Sequence, residues 1–544
     1  MKALADAGFR RVIYTVKHHD GFAMWQSRYT DFGVKASPWL GGEGDVVKML
    51  AASAKKYGLE LGLYISPADS YQEIQGVFAN GSPKKTRTIP TLVDGDDRAG
   101  KDLPTFTYEA TDYGALFLNQ VYELMTEYGP IAEVWFDGAQ GNTGRVEPYD
   151  FTAFYDLIEK LQPNALTAIE GEGVRWIGNE EGVARVNESS TIPTVRKPTG
   201  ALKFAYDSPS LGSDGQIATA VQTQGMTELR WFPGEADFKM TQGWFAHPTD
   251  TPKTPAELLG LYNRSVGRNA VYLMNIPPTT TGSFAPASAQ SLAGFGAERA
   301  KAYTKNVAIG APVTVSDATG STTTTAVTDG NHLTGAGTGR AAPTAYEVTL
   351  PQATEVNSIQ LAEATRSNGQ QVTGFTVEAE QNGAWIQVGA AGTIGASRII
   401  SFPSAVTASR FRVTVTGSRA PVQLSEIALY QQDPNATVAM SQAWLDCSAP
   451  TAGDGSQARP FNTVEQLRYV TMAPGSTLNV KAGADCGAST ARLWGYGTAD
   501  APVTVALYGG TTAPRVGDVP LAEFLTPYVA QGWNLSGLTS PTAS

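Results

Sequence analysis

The sequence predicts an α/β fold over about its first 300 residues, a TIM-like (β/α)8 barrel, followed by an all-β sandwich and a smaller β-rich segment. Two observations support this prediction. Short apolar runs alternate with helical patterns up to about residue 300, which is typical of a parallel sheet wound with helices. Beyond that point short alternating strands replace the helical patterns, as in a β-sandwich. The predicted domains are residues 1–302, 303–433 and 434–544.

The barrel prediction depends on where the apolar runs and helical patterns lie. Asp45 precedes the first helical pattern and is its predicted N-cap. An open doubly wound sheet is the alternative, but that fold usually carries a glycine-rich fingerprint, and the sequence contains neither GxGxxG nor GxxxxGK[ST]. The helical patterns include Val46–Tyr57 and Tyr113–Tyr128, and the apolar runs are Val12–Val16, Leu59–Ile65, Ala132–Phe136, Ala165–Ile169 and Ala270–Ile276.

Composition excludes several classes of function. Hydrophobic residues make up 42% of the chain and charged residues 17%, which is typical of a globular protein. The net charge of −11 disfavours a nucleic-acid partner, because an acidic surface repels phosphates. No apolar stretch reaches the roughly 18 residues that would predict a membrane span. Two cysteines are too few for a Cys-rich zinc site.

The beginning of the chain predicts that it is a fragment. Residues Met1–Gly8 have the pattern of the end of an amphipathic helix with a glycine stop, and they are too short and too charged for an export signal. We therefore expect a barrel that lacks its first strand, an incomplete sugar pocket, and poor solubility and activity of this chain alone.

Polar residues follow the apolar runs, where the active site of a barrel is expected. His18 and His19 follow the first run, with Trp25 close behind. Adjacent residues do not share a face of a strand or helix, so a metal pair is disfavoured. Two imidazoles and an indole suit a sugar, which offers hydroxyls at its edge and an apolar face. The alternative is that a histidine is only a structural hydrogen-bonder.

The sharpest local pattern is Glu133-Val134-Trp135-Phe136-Asp137-Gly138, in which a carboxylate ends an apolar strand. Such a carboxylate is costly unless it is paired or used. The alternative is an aspartate that caps the next helix. A retaining glycosidase needs a second carboxyl group, and residues 175–181 and 231–238 both place acids beside tryptophans. Their spacing does not choose between them.

The first 300 residues resemble the α-L-fucosidases of glycoside hydrolase family 29, and most of all the subgroup that acts on α-1,3 and α-1,4 fucosyl branches. The matching stretches are Lys17–Phe22 with Trp25, Gly62–Pro67, Trp135–Gly138, Trp176–Glu180, Gly243–His247 and Leu273–Pro278. The resemblance implies a retaining, exo-acting fucosidase that uses no metal or organic cofactor. It implies fucosylated oligosaccharides or glycoconjugates as substrates, and a secreted or cell-surface location.

The resemblance also assigns roles to individual residues. Asp137 is similar to the nucleophile and Glu180 to the acid/base. His18, His19 and Trp135 are similar to fucose contacts, and further substrate contacts are carried over to Trp25, Tyr64, Glu235 and Asp237. In place of the aromatic residue expected after Pro67 stand Ala68 and Asp69. Three alternatives stay open: a carbohydrate-binding protein without turnover, an inactive fragment, and a barrel glycosidase for another sugar.

The remaining modules also have resemblances. Residues 307–431 resemble a discoidin-like (F5/8 type C) carbohydrate-binding module, through Asp329–Asn331 and Leu424–Ile427. Residues 440–510 resemble the first turns of a secreted parallel β-helix. Cys447 and Cys486 both lie in this last segment, and in an exported chain we expect them to form a disulfide. Two buried free thiols are the alternative.

Overall fold

The protein is described by a computed structural model that forms two compact units. The first contains Met1–Gly178, Ile192–Tyr206 and Thr223–Glu235, and the second contains Asn179–Thr191, Asp207–Gln222 and Ala236–Ser544. The structure describes all residues except 142, 169–172, 197–201, 205–211, 213, 304, 432–438, 451–454, 468–470, 490–492, 496, 499, 530–531 and 539–544.

Residues 1–178 alternate strands with helices, and two short 3₁₀ turns lie at Val34–Ala36 and Trp39–Gly42. The helices are α1 (Lys2–Asp6), α2 (Val46–Lys56), α3 (Ser70–Ile74), α4 (Asp112–Glu127) and α5 (Phe151–Leu161). The strands are β1 (Arg11–Lys17), β2 (Glu60–Ile65), β3 (Lys85–Ile89), β4 (Phe106–Ala110), β5 (Glu133–Phe136), β6 (Leu166–Ala168) and β7 (Arg175–Trp176).

A parallel sheet of order β1-β2-β5-β6 is the centre of the first unit. Its strands confirm four of the predicted apolar runs, although Ile169 lies outside the described residues. The sheet order follows the chain order, as it does in a barrel. The polar segment between β2 and α4 forms α3 and the antiparallel hairpin β3–β4. Parallel pairing brings the carboxyl ends of β1, β2 and β5 to one edge of the sheet.

Four helices of this unit, α2 to α5, begin at side-chain caps. The Asp45 carboxylate accepts from the Lys48 amide at 2.8 Å, which confirms the predicted N-cap of α2. Helix α4 begins after Thr111, whose hydroxyl accepts from the Gly114 amide at 2.9 Å. Phe117 of α4 is fully buried in the core beside Phe136 of β5. Burial of one such side chain stabilises the fold by about 2–3 kcal/mol.

Residues 179–303 contribute to both units. The strands here are β8 (Thr191–Arg196), β9 (Leu202–Phe204), β10 (Glu228–Trp231), β11 (Gly234–Lys239) and β12 (Ala270–Asn275). The helices are α6 (Asp214–Thr223), α7 (Pro255–Ser265) and α8 (Pro286–Tyr303). In the first unit β11 pairs in parallel with β7, with Glu235 opposite Trp176. In the second unit a capping box between Thr254 and Glu257 begins α7.

An antiparallel β-module follows in the second unit. It contains β13 (Val313–Asp317), β14 (Gly320–Thr324), β15 (Thr344–Glu363), α9 (Thr365–Asn368), β16 (Val372–Gln381), β17 (Ala384–Ala391), β18 (Arg398–Ser418) and β19 (Leu424–Tyr430). The long strands β15 and β18 pair along most of their length. Their alternate residues fill one apolar core, which includes Val348, Ile359 and Val413. Period-two alternation in the sequence therefore corresponds to burial on one face.

Buried hydrogen bonds join this β-module to residues 179–191 and 265–270 of the same unit. The Gln370 side-chain oxygen accepts from the Ser190 amide at 2.8 Å and from Asn269 Nδ2 at 3.0 Å. The Asn269 side-chain oxygen accepts from the Ala396 amide at 2.8 Å. Residues 179–191, residues 265–270 and the β-module thus pack together within the second unit.

The last segment stacks strands in parallel. Its elements are β20 (Ala439–Leu445), α10 (Val464–Leu467), β21 (Thr471–Lys481), β22 (Trp494–Gly495), β23 (Val503–Tyr508), β24 (Arg515–Val516), β25 (Val519–Pro520), α11 (Leu521–Val529) and β26 (Trp533–Gly537). Strand order is β20-β21-β23-β26, and Ala443, Leu478 and Val505 occupy one buried row. In the part of the chain that is described, no helix is long and apolar enough to cross a bilayer.

A disulfide joins Cys447 and Cys486, with their Cα atoms 5.1 Å apart, which confirms the predicted pairing. The bond closes a loop of 39 residues. We expect replacement of both cysteines by serine to lower the free energy of unfolding of this segment by about 4 kcal/mol, because the open loop gains entropy when unfolded. Chemical denaturation of the two forms measures this loss. An unchanged denaturation midpoint would contradict it, as would two titratable thiols in the unreduced protein.

Candidate active site

Three neighbouring strands bring five of the seven predicted site residues of the first unit to one sheet edge, namely His18, His19, Tyr64, Trp135 and Asp137. Tyr64 on β2 pairs with Thr15 on β1 and with Trp135 on β5. His18 and His19 follow the end of β1, and Asp137 follows the end of β5. In parallel α/β folds this edge is where ligands bind.

Asp137 is a hydrogen-bonded carboxylate that solvent still reaches. The Tyr64 hydroxyl donates to its Oδ2 at 2.7 Å, and the Ala139 amide donates to its Oδ1 at 2.9 Å. His19 Nε2 lies 3.8 Å from the same Oδ2. The Asp137 side chain keeps 29% of its surface exposed. The structure therefore presents one carboxylate, fixed at both oxygens, at the open end of the sheet.

Three rings stack beside this carboxylate. His18 and Tyr64 have ring centroids 5.8 Å apart, and Tyr64 and Trp135 have centroids 5.3 Å apart, with nearly parallel planes in both pairs. Burial, and then the negative charge of Asp137, raises the pKa of Tyr64, so its hydroxyl keeps the proton that it donates. Burial and the neighbouring His19 lower the pKa of His18, which makes it a neutral imidazole at neutral pH.

The loop that carries His18 and His19 is held against the loop that follows β2. His19 Nδ1 lies 2.7 Å from Ser66 Oγ, and the Ser70 amide donates to the His19 carbonyl at 2.8 Å. Lys17 Nζ is fully buried and contacts Asp69 Oδ2 at 3.0 Å. A Cβ atom on Gly21 would lie 2.1 Å from Asp69 Oδ1, and Gly21 has a φ of +90°, so glycine is required there.

Glu235 lies beneath Trp135 and has little contact with solvent. Its Oε2 accepts from the Trp135 indole nitrogen at 3.1 Å, and the residue is 3% exposed. Burial, and then the charge of Glu133, raises the pKa of Glu235 well above its ordinary value. The structure thus places the Glu235 side chain against the Trp135 indole, and its predicted contact with substrate stays a prediction.

Trp25, which was also predicted as a substrate contact, lies in the core, and that contact stays a prediction. It is 0% exposed and belongs to the apolar core of the first unit. Its indole nitrogen donates to Glu123 Oε2 of α4 at 3.0 Å. The turn after the two histidines directs this ring inward, into the core.

The predicted residues of the second unit differ in exposure. Glu180 lies on the turn after β7, with half of its side chain exposed, and Lys239 Nζ contacts its Oε2 at 3.1 Å. Asp237 on β11 is 6% exposed, and its backbone carbonyl accepts from the Gly182 amide. Glu180 is therefore accessible to a ligand, whereas Asp237 is buried.

Ser66, Glu133 and Arg11 were not predicted as site residues. Each had a local signal. Ser66 follows the end of β2 directly, and Glu133 shares a strand face with Trp135 and Asp137, because strand side chains alternate. Arg11 begins β1 and lies opposite Glu60 of β2, so an ion pair at this position could have been suspected.

Tyr64→Phe is expected to lower kcat/KM for the fucoside that the resemblance implies as substrate by about 10- to 100-fold, because it removes one of the hydrogen bonds that hold Asp137. Tyr14→Phe is the matched control. Tyr14 is a neighbouring strand residue that packs against the apolar core, and we expect its replacement to change kcat/KM by less than about twofold. Equal effects of both variants would show that the Tyr64 hydroxyl has no special role.

Comparison with known proteins shows which families the chain matches. Residues 1–298 match the α-L-fucosidase family. Residues 312–427 match the F5/8 type C domain. The family match covers more than half of the chain and includes all the residues of the edge described above.

Individual relatives agree with this match. The chain is 31% identical to α-L-fucosidase 1 of Arabidopsis thaliana over 433 residues, which are 78% of this chain and 76% of that protein. A GH29 fucosidase of Ruminococcus gnavus, solved in complex with fucose, is 28% identical with a TM-score of 0.64, covering 80% of this chain and 85% of that one. The solved SpGH29 is also 28% identical, with a TM-score of 0.65, and covers 79% and 87%.

Proposed function

This chain belongs to the α-L-fucosidase family of glycoside hydrolases, and from that membership we propose that it is an exo-acting, retaining α-L-fucosidase that removes terminal fucose linked α-1,3 or α-1,4. One observation carries the proposal. Asp137 stands at the open end of the parallel sheet, held by Tyr64 and flanked by His18, His19 and Trp135. Each of these residue types suits a sugar at its anomeric carbon.

The proposed reaction is a double displacement. Asp137 attacks the anomeric carbon while Glu180 donates a proton to the departing glycosidic oxygen, which leaves a fucosyl ester on Asp137. Glu180 then removes a proton from water, and the resulting hydroxide displaces Asp137 and releases fucose with its original configuration. The cycle consumes one water and requires no cofactor.

Sugar recognition is assigned to the same edge. A neutral His18 both donates and accepts, as hydroxyl groups require. Trp135 offers an apolar face to the ring carbons. His19 lies close enough to Asp137 to bind a hydroxyl next to the reacting carbon.

The rest of the chain is given supporting roles. We propose that residues 1–302 belong to a (β/α)8 barrel, that 303–433 bind carbohydrate, and that 434–544 begin a parallel β-helix. The last proposal is supported by the parallel rows of β20, β21 and β23. We also propose a secreted or cell-surface location, which agrees with the disulfide.

A panel of nitrophenyl glycosides tests the proposed function. We expect release of nitrophenol from the α-L-fucoside alone, and a first-formed product that proton NMR identifies as the α-anomer of fucose. Turnover of another glycoside instead would mean a different sugar. Binding of fucose without turnover would show a carbohydrate-binding protein.

A further inference from the structure

We propose that Glu235 is a positioning residue for Trp135, and that it shares a single proton with Glu133 so that its Oε2 stays an acceptor for the indole. The inference rests on the proposed function, because it takes Trp135 as part of the sugar site. Glu133, Glu235 and Arg11 form a buried layer of ionisable groups next to the aromatic stack. That stack consists of His18, Tyr64 and Trp135.

The strand geometry places this layer directly under the site. Glu133, Trp135 and Asp137 alternate on one face of β5 and its extension. Gly62 on β2 lies opposite Glu133. A Cβ atom on Gly62 would approach the Glu133 Cβ to 3.4 Å and Ile13 to 2.9 Å, so the absence of a side chain makes room for the carboxyl group.

The hydrogen bonds of Glu133 and Glu235 are satisfied only if the two carboxyl groups share one proton. Glu133 is fully buried, and its Oε2 accepts from Arg11 Nη1 at 2.6 Å. Its Oε1 is buried and receives no hydrogen bond from a nitrogen or hydroxyl group among the described residues. The Glu235 carboxyl group lies close enough to Glu133 for a carboxyl–carboxylate hydrogen bond to form between them. A carboxyl–carboxylate hydrogen bond satisfies this oxygen, whereas two bare carboxylates would leave it unpaired and repelled.

The charges around the pair lead to the same state. Arg11 contacts both Glu60 at 2.7 Å and Glu133 at 2.6 Å, so its single positive charge already serves two carboxylates. A third carboxylate at Glu235 would be uncompensated. The protonated Glu235 therefore donates to Glu133 through one oxygen and accepts from Trp135 through the other, which fixes the plane of the indole.

Glu235→Gln and Glu235→Met separate the hydrogen bonds of the Glu235 side chain from its size. Glutamine keeps an acceptor for Trp135 and a donor for Glu133, so we expect KM and kcat within about twofold of the wild type. Methionine has a similar length but neither group. We expect it to raise KM, and the dissociation constant for free fucose measured by calorimetry, about tenfold while kcat changes by less than about threefold.

A double-mutant cycle with Trp135→Phe tests whether Glu235 acts through the indole. In the Trp135→Phe background, Glu235→Met is expected to raise KM by less than about twofold, since no indole N–H is left to position. The matched control is Glu123→Gln. Glu123 is likewise buried and accepts from a tryptophan, Trp25, at 3.0 Å in the core. This variant should lower the melting temperature and leave KM within about twofold.

The Trp135 indole resonance gives a readout that needs no turnover. It is assigned in a ¹⁵N–¹H spectrum of the folded protein by its disappearance in Trp135→Phe. We expect it unshifted in Glu235→Gln and moved upfield in Glu235→Met, whether or not the protein cleaves fucosides. An unshifted resonance in Glu235→Met, a Gln variant as impaired as the Met variant, or additive effects in the cycle would each overturn the proposal.

Discussion

Asp137→Gly is expected to lower kcat on a nitrophenyl α-L-fucoside by about 10⁴-fold or more while the protein stays folded. The variant removes the proposed nucleophile from the end of β5, and Asp137 is the carboxylate to which the Tyr64 hydroxyl donates in the described part of the chain. The Asp137 side chain is 29% exposed, so its loss leaves no buried cavity and should change the melting temperature little. Steady-state kinetics and thermal unfolding of the purified variant measure both quantities.

Rescue by azide tests whether the lost activity of Asp137→Gly is due to the missing nucleophile. In Asp137→Gly, azide can occupy the space of the missing carboxylate, attack the anomeric carbon and displace nitrophenolate, which gives a fucosyl azide of inverted configuration. We expect a rate increase of at least about tenfold in the variant and none in the wild type. Asp20→Asn is the control, because Asp20 is an exposed carboxylate on the neighbouring loop. Full activity of Asp137→Gly without azide would remove Asp137 from the mechanism.

Glu180→Ala is expected to lose about 10³-fold in kcat/KM on a fucosylated oligosaccharide but less than about tenfold on a dinitrophenyl fucoside. A sugar alcohol must receive a proton as it leaves, whereas dinitrophenolate leaves as an anion. The ratio of the two losses therefore measures general acid catalysis.

Glu235→Gln supplies the comparison for this second prediction. Glu235 is buried beneath Trp135, so its replacement should affect both substrates equally. If the dependence on leaving group appeared in the Glu235 variant and not in Glu180→Ala, the two roles would have to be exchanged.

Much of the first unit could be predicted because its signals are local. Apolar runs such as Ala132–Phe136 mark strands, and the Asp45 cap depends on an amide only three residues away. A barrel or parallel sheet places the residues after its strands at one edge. This rule was enough to predict that His18, His19 and Asp137 would meet, as the structure shows.

The sequence by itself thus determined the strand-helix pattern, the family, the residues at the sheet edge and the cysteine pairing. Only the tertiary structure decided that Trp25 enters the core and that Glu235 supports Trp135. The physical reason is the distance along the chain between the partners. Trp25 contacts Glu123, 98 residues later, and Trp135 contacts Glu235, 100 residues later. Such contacts arise when separate elements pack, and no local periodicity or turn pattern specifies which buried acid will face which indole.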